Sequence, residues 1–347
     1  MKINPLNGDQ RRQQIDTQQV YETWRLAHQE GKRRFAGGMR WGRRNGTEYL
    51  LRKIGRIETS LGPRDADTEA AYEAFMQGRS QNKDRRASLA RRLDELAPVN
   101  VAMGLGRLPL IAARILRACD ASQLLGGQLI VVGTNALFAY EAAAGVHAGS
   151  ALLATGDIDL LYDARRHMSL AVADVNARGL MGVLQRVDTS FSPHGRRAFR
   201  ASNREGYLVD LIRPQARDVF RDRRRGGLTD LPDDLEGAAI FGLDWLINSP
   251  KFEAIVIDER GYPARMNVID PRAFALHKAW LSSRFDRDPL KAGRDLEQAR
   301  FAAAIATHYL RRSFESPDLA ALPTELRQLT PAVISTENTP KSGEPNW

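Results

Sequence analysis

Gln128-Leu129-Ile130-Val131-Val132-Gly133-Thr134 constrains the fold of this chain more than any other stretch. Four consecutive aliphatic residues, three of them β-branched, read as a short strand buried on both faces, because a half-exposed strand would alternate apolar with polar. Glycine closes the run, and Asn135 to Ala144 suits a helix. A second strand follows at Asp157-Ile158-Asp159-Leu160-Leu161-Tyr162-Asp163, so the local order is strand, turn, helix, strand.

On that second strand Asp157 and Asp159 are two positions apart, which puts both carboxylates on one face, about 6.6–6.8 Å apart at Cα. A further strand, Tyr207-Leu208-Val209-Asp210-Leu211-Ile212, carries one acid among apolar residues. Grouped carboxylates repel one another and lose hydration, and one or two Mg²⁺ (or Mn²⁺) ions offset both effects. Gly133-Thr134 supplies a phosphate side: glycine lets the backbone approach a ligand, the helix start presents free N–H groups, and the Thr134 hydroxyl can donate to a phosphate oxygen. Asn135 is placed to cap that helix. A lone DxD is weak, being a surface or capping feature in most chains and a nucleotide-sugar metal motif in glycosyltransferases. The ordered set of Gly-Thr, Asp-x-Asp and apolar-Asp-apolar within 78 residues is more specific.

The segments VVGTNALFAYEAAAGV, LATGDIDLLYD and SNREGYLVDLIRP resemble the DNA polymerase β-type nucleotidyltransferase superfamily, and within it a group of uncharacterised bacterial nucleotidyltransferase-fold proteins. GGMRWG, SLGPR and HKAWLSSR resemble the same group. The resemblance implies an α+β fold with a mixed β-sheet core and flanking helices, and helical N-terminal and C-terminal regions. It implies metals held by Asp157, Asp159 and Asp210, nucleotide contacts from Gly133, Thr134 and Asn135, and transfer of NMP from ATP or another nucleoside triphosphate with release of pyrophosphate. The 23 residues between Gly133 and Asp157 imply an insertion around 145–154. His277-Lys278, Arg284, Lys291, Arg294 and Asp295 are similar in order to residues of abortive-infection-type nucleotidyltransferase toxins, which implies Lys278 or Lys291 as a triphosphate contact. Ordinary charged helix faces, with Asp295 or Glu297 paired to a neighbouring base, explain the same residues. His147 and His194 read as surface residues, since metal-assisted transfer needs no histidine base.

The 347 residues allow two or three domains. The expected divisions are a basic arm, hairpin and helices over 1–125, a nucleotidyltransferase core over 126–215, a C-terminal hairpin and helices over 216–315, and a Pro/Ser/Thr/Glu-rich flexible tail over 316–347. Within the first, a helix is expected at 14–31, a hairpin around Asn45-Gly46, a loop at Ser60–Arg64, and paired helices at 67–96 and 108–119. In the core a helical stretch is expected at 167–187 and short strands at 197–200 and 207–212. Beyond it lie the basic-acidic stretch RDVFRDRRRGG, a hairpin turning at Glu259-Arg260-Gly261, and helices at 271–283 and 288–312.

Net charge is +9, and residues 1–64 hold 14 Lys/Arg against 6 Asp/Glu, so the excess lies at the start of the chain. A phosphate-rich partner such as RNA fits that arm, and so does a merely solvated basic surface. No apolar run is long enough to span a bilayer, Cys119 is the one cysteine, and no signal sequence is visible at the start, so the expected location is cytoplasmic with no membrane contact. The acceptor of the nucleotide stays open between RNA, a protein hydroxyl and a small molecule, as does a non-catalytic nucleotide-binding role.

Overall fold

Asn45 and Gly46 take φ of 50° and 82°, the left-handed pair that a two-residue hairpin turn requires. The strands on either side pair from Gly38↔Lys53 to Arg44↔Thr47. The computed structural model describes residues 3–164, 173–216 and 226–334. The chain forms two units, one of Met1–Asn7, Arg107–Glu259 and Ala264–Trp347, and one of Gly8–Gly106 with Arg260–Pro263.

Strand β1 (Ile3–Pro5) belongs to the larger unit. The smaller unit follows it with α1 (Gly8–Arg33), β2 (Gly38–Arg44), β3 (Thr47–Ile54), β4 (Ile57–Pro63) and α2 (Ala66–Ala102). Residues 60–63, expected as a loop, complete β4, whose ladder with β3 is shifted by an irregularity at Leu50/Leu51. Helix α2 begins at a capping box in which Asp65 accepts from the Thr68 N–H and the Asp65 N–H donates to the Thr68 hydroxyl.

Helix α2 packs along α1, not along the helix after it as the sequence suggests. Buried amides sit among the apolar residues of these two helices and interrupt the apolar periodicity that would have revealed the packing. Asn100, fully buried, accepts from Gln13 at 2.9 Å and Thr17 at 3.1 Å and donates to the Gly261 carbonyl at 2.8 Å. Asn82 donates to the Ala27 carbonyl at 2.9 Å. The meander closes on α2 through rings, with Phe35 5.9 Å from Phe75 and Trp41 5.8 Å from Tyr72.

The larger unit continues with α3 (Leu110–Ala121), β5 (Leu129–Val132), α4 (Ala136–Ala144), β6 (Val146–Ala148), α5 (Ser150–Leu153), β7 (Asp157–Tyr162), α6 (Ala173–Val187), β8 (Ser192–Pro193), β9 (Arg200–Ser202) and β10 (Leu208–Pro214). Then come β11 (Ala238–Ile240), α7 (Leu243–Asn248), β12 (Lys251–Ile257), β13 (Pro263–Ile269), α8 (Pro271–Ser282) and α9 (Pro289–Ala304). Its sheet runs β12-β13-β5-β7-β10-β9-β8, with β11 beside the far end of β10. The β7/β10 and β5/β13 ladders are parallel, and β5/β7 and β9/β10 are antiparallel. This is the mixed sheet with flanking helices of an α+β fold. Ile158, Leu160, Val209 and Leu211 are wholly buried on its one face, and each contributes about 1.5–3 kcal/mol by leaving water.

The insertion expected around 145–154 contains β6 and α5, and β6 is covered by β1 through the pairs Ile3↔Ala148 and Pro5↔Val146. Helix α9 stops at Ala304 and continues as a π turn over Ile305–Tyr309. Residues 316–334, expected in a flexible tail, instead form Pro317–Leu319, α10 (Thr324–Arg327) and α11 (Thr330–Val333), and they bury Leu319, Leu322, Leu326 and Val333. Residues 335–347, the start of the expected helix at 167–187 and most of RDVFRDRRRGG lie outside the described residues. Among the described residues no helix is long and apolar enough to cross a membrane.

Candidate metal and nucleotide site

Burial of Ile158, Leu160, Val209 and Leu211 on one face turns Asp157, Asp159 and Asp210 to the other, since alternate residues of a strand point opposite ways and a slip of one position would exchange the two sets. Register then sets their spacing. Asp159 pairs directly with Asp210 across the parallel β7/β10 ladder, and Asp157 pairs with Leu208. Asp159 also pairs with Val132 of β5, and Asp210 with Arg200 of β9. A single cross-strand row therefore runs Val132, Asp159, Asp210, Arg200.

The row is electrostatically uneven. Burial pushes the Asp159 carboxyl up to about 7, with Asp157 and then Asp210 adding to the rise and Lys278 and Arg200 opposing it. Asp210 is held by a two-pronged guanidinium contact, Arg200 Nε to Oδ1 at 2.7 Å and Nη2 to Oδ2 at 2.6 Å. The Thr155 hydroxyl donates to Asp157 Oδ1. Tyr207 lies close enough that Asp157 and Asp159 raise its phenol above the usual range, behind burial as the main cause. Its hydroxyl is buried and has no hydrogen-bond partner among the described residues.

Gly133 takes φ of 66°, and a Cβ built there would stand 2.1 Å from Asp159 Oδ2. Only glycine leaves that space between the turn and the carboxylate. Thr134 follows, its hydroxyl accepting from Gln298 Nε2 at 3.1 Å. Gln298 is fully buried on α9 and also donates to the Leu152 carbonyl at 3.1 Å. Asn135 does not cap α4 through its side chain, as the sequence suggests. Its Nδ2 donates to the Asp157 carbonyl at 2.6 Å, so it ties the start of α4 to the start of β7.

The two lysines divide. Lys278 is buried on α8 and donates to Asp295 Oδ1 at 2.6 Å, while Arg287 reaches Asp295 Oδ2 from Nε at 2.8 Å. Burial holds the Lys278 amine below its ordinary range, against the pull of Asp295. Asp295 is thus paired, but with a buried lysine of the neighbouring helix and not along an exposed helix face, and the amine also acts on Asp159 through space. Lys291 is exposed near the start of α9. It lies three, four and seven positions before Arg294, Asp295 and Gln298, which places all four on one helical stripe. Arg294 donates to the Ala154 carbonyl, just ahead of β7. His147 is half-buried on β6, its imidazole held down by burial and by Arg107, and His194 is exposed and bonded to the Ser202 hydroxyl at 2.8 Å.

Sequence reasoning missed Arg200, Tyr207 and Gln298. Arg200 was findable, because a turn centred on Glu205 makes paired residues sum to 410, which sets Arg200 opposite Asp210. Nothing in the sequence points to Gln298, which lies 164 residues from Thr134.

The donor set suits a hard divalent cation, since it consists of carboxylate oxygens and since burial and the neighbouring acids penalise the charged form of Asp159. As the side chains stand, no three His, Cys, Asp or Glu among the described residues are gathered tightly enough to hold one. At Asp210 both oxygens are held by Arg200. The residues fit the ion provided that this contact opens.

No curated protein and no solved structure matches the chain. The sequence profile of the nucleotidyltransferase family matches residues 111–322, more than half of the chain. That span holds the acidic row, the Gly133 turn and the α9 stripe. The chain belongs to the nucleotidyltransferase family.

Proposed function

We propose that this protein transfers a nucleoside monophosphate from a nucleoside triphosphate to an acceptor hydroxyl, in the manner of the DNA polymerase β-type superfamily. The observation that carries the reading is the direct pairing of Asp159 with Asp210, beside a glycine turn too close to Asp159 for any side chain. In the reaction the acceptor oxygen bonds to the α-phosphorus, the bond from that phosphorus to the β-phosphate oxygen breaks, pyrophosphate leaves, and the hydroxyl proton passes to water. Asp157, Asp159 and Asp210 would hold Mg²⁺ or Mn²⁺, which supplies Lewis-acid stabilisation of charge on the phosphates. The Gly133-Thr134 backbone at the start of α4 favours a polyphosphate through its free N–H groups. Asn135 and Gln298 keep that turn in register with β7. Lys278 sets local potential from within its pair with Asp295, and exposed Lys291 is the lysine free to reach the phosphates.

For the acceptor, the charge of the smaller unit supports RNA. Arg43, Arg44, Lys53 and Arg56 are exposed on and beside its meander, whereas Arg40 is neutralised by Glu58 at 3.0 Å. The test is incubation of the protein with each labelled nucleoside triphosphate, Mg²⁺ and cell extract, followed by separation of RNA, protein and small molecules. Label in RNA that disappears in Asp159→Asn is the expected result. Label in protein or in a small molecule would replace the RNA acceptor, and no label in any fraction would leave a nucleotide-binding module.

A further inference from the structure

Arg200 and Asp210 are direct cross-strand partners, so their contact is set by backbone register and is not a chance meeting of surface side chains. The guanidinium takes both oxygens of a carboxylate whose residue is only 6% exposed, and its charge also acts on Asp157 and Asp159. The Arg200 side chain itself is 36% exposed, and its backbone is fixed between β8 and β10. It can therefore swing toward solvent without disturbing the sheet. A two-pronged arginine contact is strong and geometrically specific. A divalent cation drawn to the same carboxylate meets the guanidinium charge a few ångströms away, and the two compete.

We propose that Arg200 is the resident counter-charge of the acidic row, that it gives up Asp210 when a metal-carrying triphosphate enters, and that it then binds the polyphosphate. The inference rests on the nucleotidyl-transfer reading and adds a residue and an order of events to it. As the cross-strand partner of Asp210, Arg200 is on the same face of the sheet as the acids, and its planar fork suits phosphate oxygens as it suits carboxylate. Free metal should consequently bind poorly, and nucleotide should carry its own metal in. Lys278 cannot take this part, because it is buried and committed to Asp295.

The experiment titrates the full-length protein with Mn²⁺, reading free Mn²⁺ by electron paramagnetic resonance, with and without a non-hydrolysable ATP analogue. Arg200→Gln should bind Mn²⁺ alone about tenfold more tightly than wild type, since a like charge has been removed from beside the ion. It should bind the Mn²⁺–nucleotide about tenfold more weakly, since the guanidinium no longer meets the phosphates. Arg200→Lys, which keeps the charge and loses the fork, should stay close to wild type for Mn²⁺ alone and weaken nucleotide binding. Should Arg200→Gln not fold, Arg200→Lys decides on the nucleotide measurement. Mn²⁺ affinity unchanged or reduced in folded Arg200→Gln, or nucleotide affinity unchanged in Arg200→Lys, would overturn the proposal while leaving the site in place. Asp159→Asn with undiminished Mn²⁺ affinity would mark a different failure, that of the acidic row as the metal site, and this inference would fall with it.

Discussion

Gln298 reaches from α9 to the Thr134 hydroxyl at 3.1 Å and to the Leu152 carbonyl at the same distance, so a single buried amide sets the strand-to-helix turn against the segment leading into β7. Replacing it by alanine removes both bonds and leaves a hole in a closed interior. Gln298→Ala should cost about 2–4 kcal/mol of stability, read as a lower urea midpoint with an unchanged slope. Nucleotide affinity should fall as well, because the turn loses its fixed place; unchanged affinity would detach Gln298 from the site.

Gly133→Ala should separate fold from site. Its positive φ costs an alanine about 1–2 kcal/mol, a loss that a domain of this size survives. The added Cβ, 2.1 Å from Asp159 Oδ2, forces that carboxylate to move. Circular dichroism should be preserved while metal and nucleotide affinity fall at least about tenfold. Normal affinity in this variant would show that the turn and the acid act independently.

Asp159→Asn removes a ligand charge and keeps the shape. If the residue carries the metal, transfer should fall about a hundredfold or more. Stability should move the other way. The native carboxyl titrates near 7, against 3.8 for the free group, so ionising it in the fold is unfavourable and native stability declines as pH rises from about 4 to about 7. Above that window Asp159→Asn should be the more stable protein, and near pH 4 the two should converge. Thermal melts at pH 4.5 and pH 8 check both signs.

A second buried acid makes the same kind of prediction away from the site. Burial pushes Glu141 up to about 7, although Arg107 stands 3.3 Å away and the Ala148 N–H donates to it. One long contact from Arg107 does not offset the lost hydration, and Glu141 Oε2 has no partner among the described residues. Stability tied to this group is present below about pH 4.5 and lost as pH rises to about 7, on the order of 3 kcal/mol at most. Glu141→Gln should flatten that part of the pH profile. A profile identical to wild type would place the titration elsewhere.

For the smaller unit, neutralising Arg43, Arg44, Lys53 and Arg56 should leave Mn²⁺–nucleotide affinity unchanged and weaken binding of an RNA acceptor. The slope of log affinity against log salt should drop by about one for each RNA phosphate that is no longer neutralised. Filter binding across a salt series reads this directly. An unaltered slope would remove the support for RNA.

The readable parts of this chain were those governed by short-range rules. Strand β5, the Asn45-Gly46 turn and the two aspartates of β7 declare themselves through periodicity and turn chemistry, whereas the register of β10 beside β7 is visible only in the ladder. What was unreadable depends on polar contacts between distant residues. Asn100 and Asn82 join α1 to α2 with amides, which a search for apolar stripes does not register. Leu319, Leu322 and Leu326 sit among prolines and threonines that suggest a loose end, yet three leucines spaced a few residues apart suffice to anchor it. Asn135 passed for a cap because helix-start residues favour it. Its amide instead found the Asp157 carbonyl, a partner visible only in three dimensions.

Strand β1 has an effect out of proportion to its three residues. By pairing with β6 it returns the start of the chain to the larger unit, so Gly8–Gly106 is spliced into that unit and not hung from one end. Beginning the polypeptide at Arg107 would therefore strip β6 of its neighbour and leave an open edge able to recruit strands from other molecules. The clean way to isolate the nucleotidyltransferase portion is an internal excision that joins Asn7 to Arg107 through a short flexible bridge. Its closure entropy rises only slowly with the length of chain spanned.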